Sequence, residues 1–366
     1  MLDFTSALYL GFEHASWTLT GWDRLTLGKP AALEEIAGAP LVQRELAALT
    51  GCERVLLGTS TLHLFCDLFA MLAGRNVTIW IDEATYPIAR WGTDRAVALG
   101  VPVRRFAHHD ATALRWAIGQ DHGHRPVIVT DGYSPVRGTH APLRDYASCA
   151  ATRNGLLVVD DTQALGIFGR REESIGPYGT GGGGSLQRFD LRDAGVVVVS
   201  SLAKAFGAPV AMLGGSRAAV EKFYENSATL VHCSPTSASA IAAAQRALQL
   251  NGEFGDALRR RLVERVVWFR RPLAGLLAAE SLFPVQSLKL PGHINAHALY
   301  RALLGRGVRS VLHLDSRDGC PGISFVLTAR HQLKEIDVAV AALTDLVGGD
   351  PSERVRGAAS HGARVL

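Results

Sequence analysis

Short apolar runs alternate with amphipathic segments through the first two thirds of the chain. The runs are rich in Val, Ile and Leu and predict strands at 55–57, 77–81, 103–106, 127–130, 156–159, 196–199 and 210–214. Between them, apolar residues recur at helical spacing at 61–73, 86–99, 111–118 and 143–153. Continuous β-branched runs that alternate with helices predict an α/β fold, in which helices cover both faces of a mainly parallel seven-stranded sheet.

The rest of the chain predicts a second, smaller unit. A long helical pattern spans 236–278, and we expect it to break near Asn251 and Gly252. The chain is thereby divided into four parts: an N-terminal segment (1–45), a large domain (46–245), a small C-terminal α/β domain (246–348) and a polar, basic tail (349–366). We expect the tail to be disordered.

A glycine-rich segment at 179–185 interrupts the pattern. It lacks the spacing of a nucleotide-binding loop and the strand that should precede one. We therefore expect a flexible surface or subunit-contact loop. The alternative is a nest of backbone amides near an anionic group of the substrate.

Two polar residues follow apolar runs at positions where charge is costly. Lys204 lies just beyond the run at 196–199, and Asp160 ends the run at 156–159. Burial lowers the pKa of a lysine towards its neutral, nucleophilic form, and a buried carboxylate needs a cation. This pair suits an aldehyde cofactor, since the amine can bind the aldehyde and the acid can pair with a protonated pyridine nitrogen. Alternatively, Lys204 is a surface residue beyond a strand.

The residues around these two positions carry a family resemblance. Asp160 begins Asp-Asp-Thr-Gln-Ala-Leu-Gly, and Lys204 lies in Ser-Leu-Ala-Lys-Ala-Phe-Gly. Further similar segments lie at 3–11, 106–110, 130–138, 141–143 and 326–331. Together they resemble the fold-type I enzymes that use pyridoxal phosphate (PLP), above all the α-oxoamine synthases of the 8-amino-7-oxononanoate synthase type, and also the class I and II aminotransferases. The resemblance covers nearly the whole chain.

The resemblance implies roles for the residues near the cofactor ring. Lys204 would hold PLP covalently, and Asp160 would pair with its pyridine nitrogen. Gln163 stands where the synthases have His and can still donate a hydrogen bond to the phenolic oxygen. The sugar aminotransferases of this fold type also have an Asp with a Gln three residues later. Tyr86 stands where the synthases have a stacking His. An aromatic ring can stack there, but the alternative is a partly buried tyrosine at a helix start.

Hydroxyl groups are the candidates for binding the cofactor phosphate. Ser60 and Thr61 lie between a strand and a helix, where backbone amides also face an anion. Ser201 is a second candidate, and the resemblance implies that Ser234 reaches the site of the partner subunit. Ser134, in the motif at 130–138, is a further cofactor-binding candidate. For each single Ser or Thr, a helix cap is the alternative.

The largest departure from the family concerns the substrate. The synthases carry two arginines shortly before the motif at 326–331, and one of them binds the substrate carboxylate. Gly322 and Ser324 stand at these positions here. Arg317 and Arg330 are the nearby candidates to replace the missing cation. The resemblance also begins at residues 3–11, so we expect the chain to lack the N-terminal helix that usually covers the site.

No metal site is expected. His108 and His109, and also His122 and His124, are close in sequence, but no acid or cysteine completes a ligand set at suitable spacing.

Composition excludes several other classes. The 366 residues are 48% hydrophobic and carry a net charge of +4 without a basic block, which argues against nucleic acid as a partner. Five scattered cysteines without C-x-x-C spacing indicate a reducing compartment. We see no signal peptide and no apolar run near the roughly 20 residues of a membrane span. We therefore expect a cytoplasmic protein that does not bind membranes.

These observations predict a PLP-dependent transferase that acts on an amino substrate through a stabilised carbanion. The leading hypothesis is synthase-like formation of a C–C bond with an acyl or other electrophile. The alternatives are an aminotransferase and a specialised enzyme that forms C–C bonds on an unusual amino substrate. A non-catalytic relative is disfavoured because both Lys204 and Asp160 are present. We expect two small-molecule substrates and a homodimer with shared active sites.

Overall fold

A seven-stranded sheet forms the centre of the protein. The computed structural model describes residues 1–172, 176–192, 195–314 and 321–348. The sheet has the order β2-β10-β9-β8-β5-β3-β4. Its strands are β2 (Arg54–Gly58), β3 (Val77–Asp82), β4 (Val103–Phe106), β5 (Arg125–Asp131), β8 (Leu156–Asp160), β9 (Val196–Ser201) and β10 (Ala211–Gly215). All seven lie where the apolar runs predicted them, and only β10 runs antiparallel to its neighbours.

Apolar side chains cover both faces of this sheet. Along β8, Leu157 and Val159 belong to one buried cluster, whereas Val158 between them belongs to a second cluster. The same alternation occurs along β9, in which Val198 and Val199 lie in different clusters. A strand that is buried on both faces needs a continuous apolar run, and this explains why the sequence predicted the strands well.

Helices connect the strands. In the first part of the chain they are α1 (Ala39–Thr50), α2 (Thr61–Ala70), α3 (Pro87–Ala98), α4 (Ala111–Gln120), α5 (Leu143–Ala151), α6 (Gly184–Phe189), α7 (Arg217–Asn226) and α8 (Ala228–His232). The four predicted helices correspond to α2, α3, α4 and α5. Local chemistry sets their starts: the Ser60 side chain accepts a hydrogen bond from the His63 amide at the start of α2, and Pro87 opens α3.

The long helix α9 (Ala238–Arg270) is unbroken, so the predicted break at Asn251 and Gly252 is wrong. Asn251 is buried and forms hydrogen bonds to other parts of the protein. Its amide donates to the Gly181 carbonyl at 3.0 Å and accepts from Arg259 at 2.8 Å. Because these contacts use the polar side chain, Asn251 does not compete for the backbone of its own helix.

The C-terminal part contains a separate three-stranded sheet of order β11-β14-β13. Its elements are β11 (Val285–Ser287), α10 (Ala296–Gly305), β12 (Val308–Arg309), β13 (Val311–Leu314), β14 (Pro321–Val326) and α11 (Leu333–Gly348). The short strand β1 (Leu2–Asp3) pairs in parallel with β12 and ties the N-terminus to this part. The division into domains at 46–245 and 246–348 remains our proposal, and residues 349–366 lie outside the described part.

The glycine-rich segment is packed, and this corrects the expectation of a flexible surface loop. Most of residues 179–185 are buried, and Gly184 has a φ of +80°. A Cβ on Gly184 would lie 2.0 Å from an Asp161 carboxylate oxygen, and the Ser185 amide donates to that carboxylate at 2.8 Å. The glycines therefore allow the chain to turn tightly over a buried acid.

A short hairpin, β6 (Tyr133–Ser134) and β7 (Thr139–His140), follows β5. Among the described helices, none is both long enough and apolar enough to cross a membrane.

Candidate active site

The carboxyl ends of three neighbouring parallel strands bring acids together. Asp160 ends β8, Asp131 ends β5 and Asp82 ends β3. The register places Asp131 directly opposite Asp160. Lys204 lies in the turn after β9, on the other side of β8. The carboxyl edge of a parallel sheet is where such folds bind their ligands.

Asp160 is held in place by the loop that follows it. It is 6% exposed, and its Oδ1 accepts a hydrogen bond from the Thr162 amide at 3.0 Å. The Thr162 hydroxyl in turn accepts from the Ser201 amide at 3.1 Å, so the loops after β8 and β9 are joined. Burial raises the pKa of Asp160, while Thr162 and Lys204 act in the opposite direction. A cationic ligand would stabilise the ionised carboxylate.

Lys204 lies among these acids but in surroundings that favour its neutral form. Burial lowers its pKa, although Asp160 and Asp131 act in the opposite direction. Its Nζ lies 5.6 Å from the centre of the Tyr86 ring. The sequence prediction of a lysine with a lowered pKa next to Asp160 therefore agrees with the geometry.

Tyr86 borders the same space. Its side chain is 53% exposed, and its backbone amide donates to the two Asp131 carboxylate oxygens at 3.1 and 3.2 Å. A ring anchored in this way beside Lys204 offers a flat face for stacking. Tyr86 does stand at the N-cap position of α3, as the alternative expected. Its side chain is largely exposed, however, rather than partly buried.

Sequence reasoning did not assign a role to Asp131, although the rule that found Asp160 applies to it as well. Both acids end an apolar strand. Burial, and next the neighbouring Asp160, raise the pKa of Asp131 well above its usual range.

Gln163 has a partner that the sequence did not reveal. The hydroxyl of Tyr9 donates to its Oε1 at 2.7 Å. Tyr9 is buried, its ring packs edge-on against Phe283 at 5.5 Å, and burial raises its pKa. Because Tyr9 occupies the carbonyl end of the Gln163 side chain, the amide nitrogen is left to donate to another group, as the predicted contact with the cofactor requires.

Ser60, Thr61 and Ser201 belong to one region of the sheet edge. Gly58 at the end of β2 and Ser201 at the end of β9 both pair with Ala211, from opposite sides. Ser60 and Thr61 open the ten-residue helix α2 directly after β2. Ser60 caps this helix, so the capping alternative holds for it, whereas the Ser201 hydroxyl accepts from the Ala203 amide at 3.2 Å in the turn after β9. A helix start with nearby hydroxyls suits a phosphate group.

Ser234 and Ser134 are placed differently. Ser234 is exposed between α8 and α9 and lines a groove together with Thr59 and His63 of the same chain. Ser134 is buried in the hairpin strand β6, opposite Thr139. Their assignment to the cofactor remains a prediction.

Arg330 is exposed and forms an ion pair with Glu13 at 2.5 Å. Its side chain lies over Gly11, where a Cβ would approach it to 2.5 Å. Glu13 follows the segment that carries Tyr9, so Arg330 is connected through the N-terminal segment to Gln163. The other candidate, Arg317, lies outside the described residues.

Positions 322 and 324, where the resemblance led us to expect arginines, both lie against His313. The Ser324 hydroxyl is buried and contacts the Ser287 hydroxyl at 2.8 Å and the His313 imidazole at 2.7 Å. A Cβ on Gly322 would lie 2.9 Å from the same imidazole. His313 of β13 therefore covers Gly322 of β14, its direct partner.

The reasoning that excluded an acid near His108 and His109 is wrong in one respect. Asp82 lies beside them, and three possible ligand atoms fall within 4.8 Å of one another. However, Asp82 already accepts hydrogen bonds from His108 Nδ1 at 2.9 Å and from the His109 amide at 3.2 Å. Burial acts to raise the pKa of Asp82, but the hydrogen bonds from His108 and from the Ala84 and His109 amides together outweigh this effect and lower it. Asp82 is thus paired without an ion, whereas the buried His108 Nε2 has no hydrogen-bond partner among the described residues, and the prediction of no metal remains untested.

The residues at the sheet edge fit PLP by their chemistry. An amine with a lowered pKa can bind the aldehyde, and the buried Asp160 carboxylate can pair with the pyridine nitrogen. The exposed Tyr86 ring can cover the pyridine face, and the start of α2 can hold the phosphate.

Comparisons with known proteins agree with this geometry. A family model for aminotransferase class I and II matches residues 2–343. The 8-amino-7-oxononanoate synthases of Dechloromonas aromatica and Methylococcus capsulatus are 28% and 29% identical, over 84% of this chain and 78% and 77% of theirs. This chain is therefore similar to them along most of its length.

Solved structures share the fold. A serine palmitoyltransferase of Sphingomonas wittichii has a TM-score of 0.81 at 18% identity and covers 94% of this chain and 88% of its own. The 8-amino-7-oxononanoate synthase of Francisella tularensis has a TM-score of 0.75 at 18% identity, with 95% and 98% covered. The serine palmitoyltransferase of S. paucimobilis, solved with PLP bound, has a TM-score of 0.82 at 16% identity, with 94% and 88% covered.

The solved structures confirm the predicted α/β fold of the fold-type I enzymes, and the family match confirms the predicted cofactor, PLP. The match along nearly the whole chain leads to one conclusion: the protein belongs to the class I and II aminotransferase family of PLP-dependent enzymes.

Proposed function

We propose that this protein forms a C–C bond between an amino substrate and an acyl thioester, in the manner of an α-oxoamine synthase. The observation that carries the proposal is the arrangement of Lys204, Asp160 and Asp131 at one sheet edge, in a chain similar to 8-amino-7-oxononanoate synthases over 84% of its length. The family as a whole includes aminotransferases, so the choice within the family rests on these relatives.

Bound PLP supplies an electron sink that stabilises negative charge on the α carbon of the substrate. Lys204 would hold the cofactor through its aldehyde carbon and, once released by the amino substrate, would move a proton at the α carbon. Its lowered pKa suits this work because a neutral amine can accept the proton. Asp160 would keep a proton on the pyridine nitrogen.

Three groups would orient the cofactor. Gln163, fixed by Tyr9, would donate to the phenolic oxygen. Tyr86, fixed by Asp131, would cover one face of the ring. Ser60, Thr61 and Ser201 would bind the phosphate, and Ser234 would complete a phosphate site across a dimer interface.

The substrate carboxylate lacks the arginine that the resemblance led us to expect. Arg330 is the described candidate for this role, and it already pairs with Glu13. A substrate that binds Arg330 has to compete with Glu13, and this favours an amino substrate with a second anchoring group. The homodimer with shared sites and the cytoplasmic location belong to this proposal as well.

The proposal is tested by offering the holoenzyme amino acids one by one, with and without an acyl thioester. We expect release of free thiol that requires both substrates. Lys204→Ala should abolish this release, whereas Lys222→Ala, which removes an exposed lysine on α7, should leave it unchanged. Release of a keto acid without any thioester would instead identify an aminotransferase and contradict the proposal.

A further inference from the structure

A group of two guanidinium groups and one imidazole lies beside the β6–β7 hairpin. It consists of Arg171, Arg188 at the end of α6, and His140 in β7, and we call it the hairpin cation cluster. In the described part of the chain, no carboxylate lies within 4 Å of either arginine's nitrogen atoms or of the His140 ring nitrogens. Among the described residues, the half-buried Arg188 therefore lacks the carboxylate partner that such a cation normally has.

Two aromatic rings hold the cluster together. The Arg188 guanidinium carbon lies 5.0 Å from the centre of the Phe168 ring, and the Arg171 guanidinium carbon lies 5.5 Å from that of Phe189. The His140 ring packs edge-on against both, with centroids 4.4 Å from Phe168 and 5.4 Å from Phe189. The two guanidinium groups and the imidazole thus share one aromatic wall.

Polar atoms in this cluster are buried without a partner. Arg188 Nε and His140 Nδ1 have no hydrogen bond, and Arg137 Nε at the tip of the same hairpin has none either. A buried polar atom without a partner destabilises the folded protein. The Arg188 and His140 atoms belong to residues that pack against the same Phe168 ring, which indicates that one bound group completes their hydrogen bonds.

Burial and the neighbouring arginines lower the pKa values of His140 and Arg188. Burial, and then Arg188 and Arg171, lower the pKa of His140 to about 3, and burial and Arg171 lower the pKa of Arg188. The acid closest in sequence to Arg188, Asp190, is exposed and pairs with Arg192 at 3.0 Å. The two arginines therefore supply the positive charge that would attract an anion, whereas His140, with a pKa of about 3, is neutral near pH 7.

We propose that Arg171, Arg188 and His140 form a binding site for the phosphate group of a small molecule. Two guanidinium groups match a phosphate dianion better than a single carboxylate, since each can donate two parallel hydrogen bonds. The rings of Phe168 and Phe189 can contact an apolar part of the same molecule. Arg171 is exposed and leaves the cluster open to solvent. The start of α2, proposed for the cofactor phosphate, belongs to other elements.

The site is tested on the holoenzyme, so that the cofactor phosphate already occupies its own position. Isothermal titration calorimetry with inorganic pyrophosphate at low ionic strength should show binding. Arg188→Met and Arg171→Met remove the charge but keep an unbranched side chain, and each should weaken binding at least about tenfold, as expected for the loss of a charge-assisted hydrogen bond. Arg54→Met is the matched control, because Arg54 lies on β2 and pairs with Glu221 at 2.9 Å.

Three results would overturn the proposal: no binding of pyrophosphate, equal binding by the Arg171→Met variant and the wild type, or tighter binding of succinate than of pyrophosphate. The exposed Arg171 keeps the test valid if Arg188→Met fails to fold. Arg188→Lys should retain part of the affinity because it keeps the charge. The measurement needs no turnover, so its outcome is independent of the proposed reaction.

Discussion

Asp131 and Asp160 lie directly opposite each other at the ends of the neighbouring parallel strands β5 and β8. Burial raises the pKa of both carboxyl groups, and Asp160 raises that of Asp131 further. Two adjacent buried acids do not both ionise easily. We therefore expect Asp131 to remain protonated and Asp160 to supply the negative charge that faces the cofactor.

These protonation states predict different effects for the same Asp→Asn substitution at positions 160 and 131. Asp160→Asn removes the charge that would hold the pyridine proton and should lower kcat by roughly 10²–10³-fold, a magnitude typical of losing electrostatic stabilisation of the reacting group. Asp131→Asn should change kcat only a few-fold, because an amide oxygen can still accept from the Tyr86 amide. Steady-state kinetics with saturating cofactor decide between them. Equal losses would show that Asp131 is ionised.

The contact between Tyr9 and Gln163 predicts a role for the N-terminal segment. Tyr9→Phe removes the hydrogen bond to Gln163 Oε1 while keeping the ring packed against Phe283. We expect a loss of stability of about 0.5–1.5 kcal/mol, typical of one hydrogen bond, and a shift in the visible absorbance of the bound cofactor as Gln163 becomes free to turn. Urea unfolding and absorbance spectra measure the two effects. Tyr224→Phe, an exposed tyrosine on α7, is the control for the spectrum.

The sequence predicted those elements of the fold that local residue patterns determine. The strands of the main sheet are continuous apolar runs, so the positions of Lys204 and Asp160 at strand ends could be read directly. The partners of these residues could not. Tyr9 and Gln163 are 154 residues apart in the sequence, and His108 and Asp82 are 26 residues apart. Hydrophobic periodicity carries no information about contacts at such sequence separations.

Two wrong expectations have the same cause. Asn251 and Gly252 have weak helix propensity, but the buried hydrogen bonds of Asn251 to Arg259 and Gly181 keep α9 continuous. The glycine-rich segment looked flexible, but it packs over Asp161. In both cases tertiary contacts outweighed local preference.

His109 predicts a loss of stability in acid. Burial and the neighbouring His108 lower its pKa from 6.5 to about 4. The unfolded chain therefore binds a proton more readily than the folded protein, so the contribution of His109 to stability is complete above pH 6.5 and is lost as the pH falls towards 4. His109→Asn should reduce the difference between urea midpoints at pH 7 and pH 5. An unchanged difference would mean that His109 is not buried as described.

Asp161 predicts the opposite trend. Burial raises its pKa from 3.8 to about 7, so the folded protein keeps a proton that the unfolded chain has released. Its contribution to stability is complete below pH 3.8 and is lost as the pH rises towards 7. Asp161→Asn cannot ionise and can still accept from the Ser185 amide, so it should be more stable than the wild type at pH 8 and similar at pH 4. Thermal unfolding at the two pH values checks this, and Asp190→Asn, at an exposed acid, should show no such trend.

The imidazole of His313 over Gly322 has a consequence for attempts to change the substrate of this protein. A side chain at position 322 would have to enter space that the imidazole fills, since even a Cβ would approach it to 2.9 Å. Ser324 is tied to the same imidazole, so the positions are coupled. An arginine could therefore be introduced there only together with a smaller residue at 313. The variant with only the arginine and the variant with only the smaller residue at 313 should each be less stable than the starting protein and than the double variant.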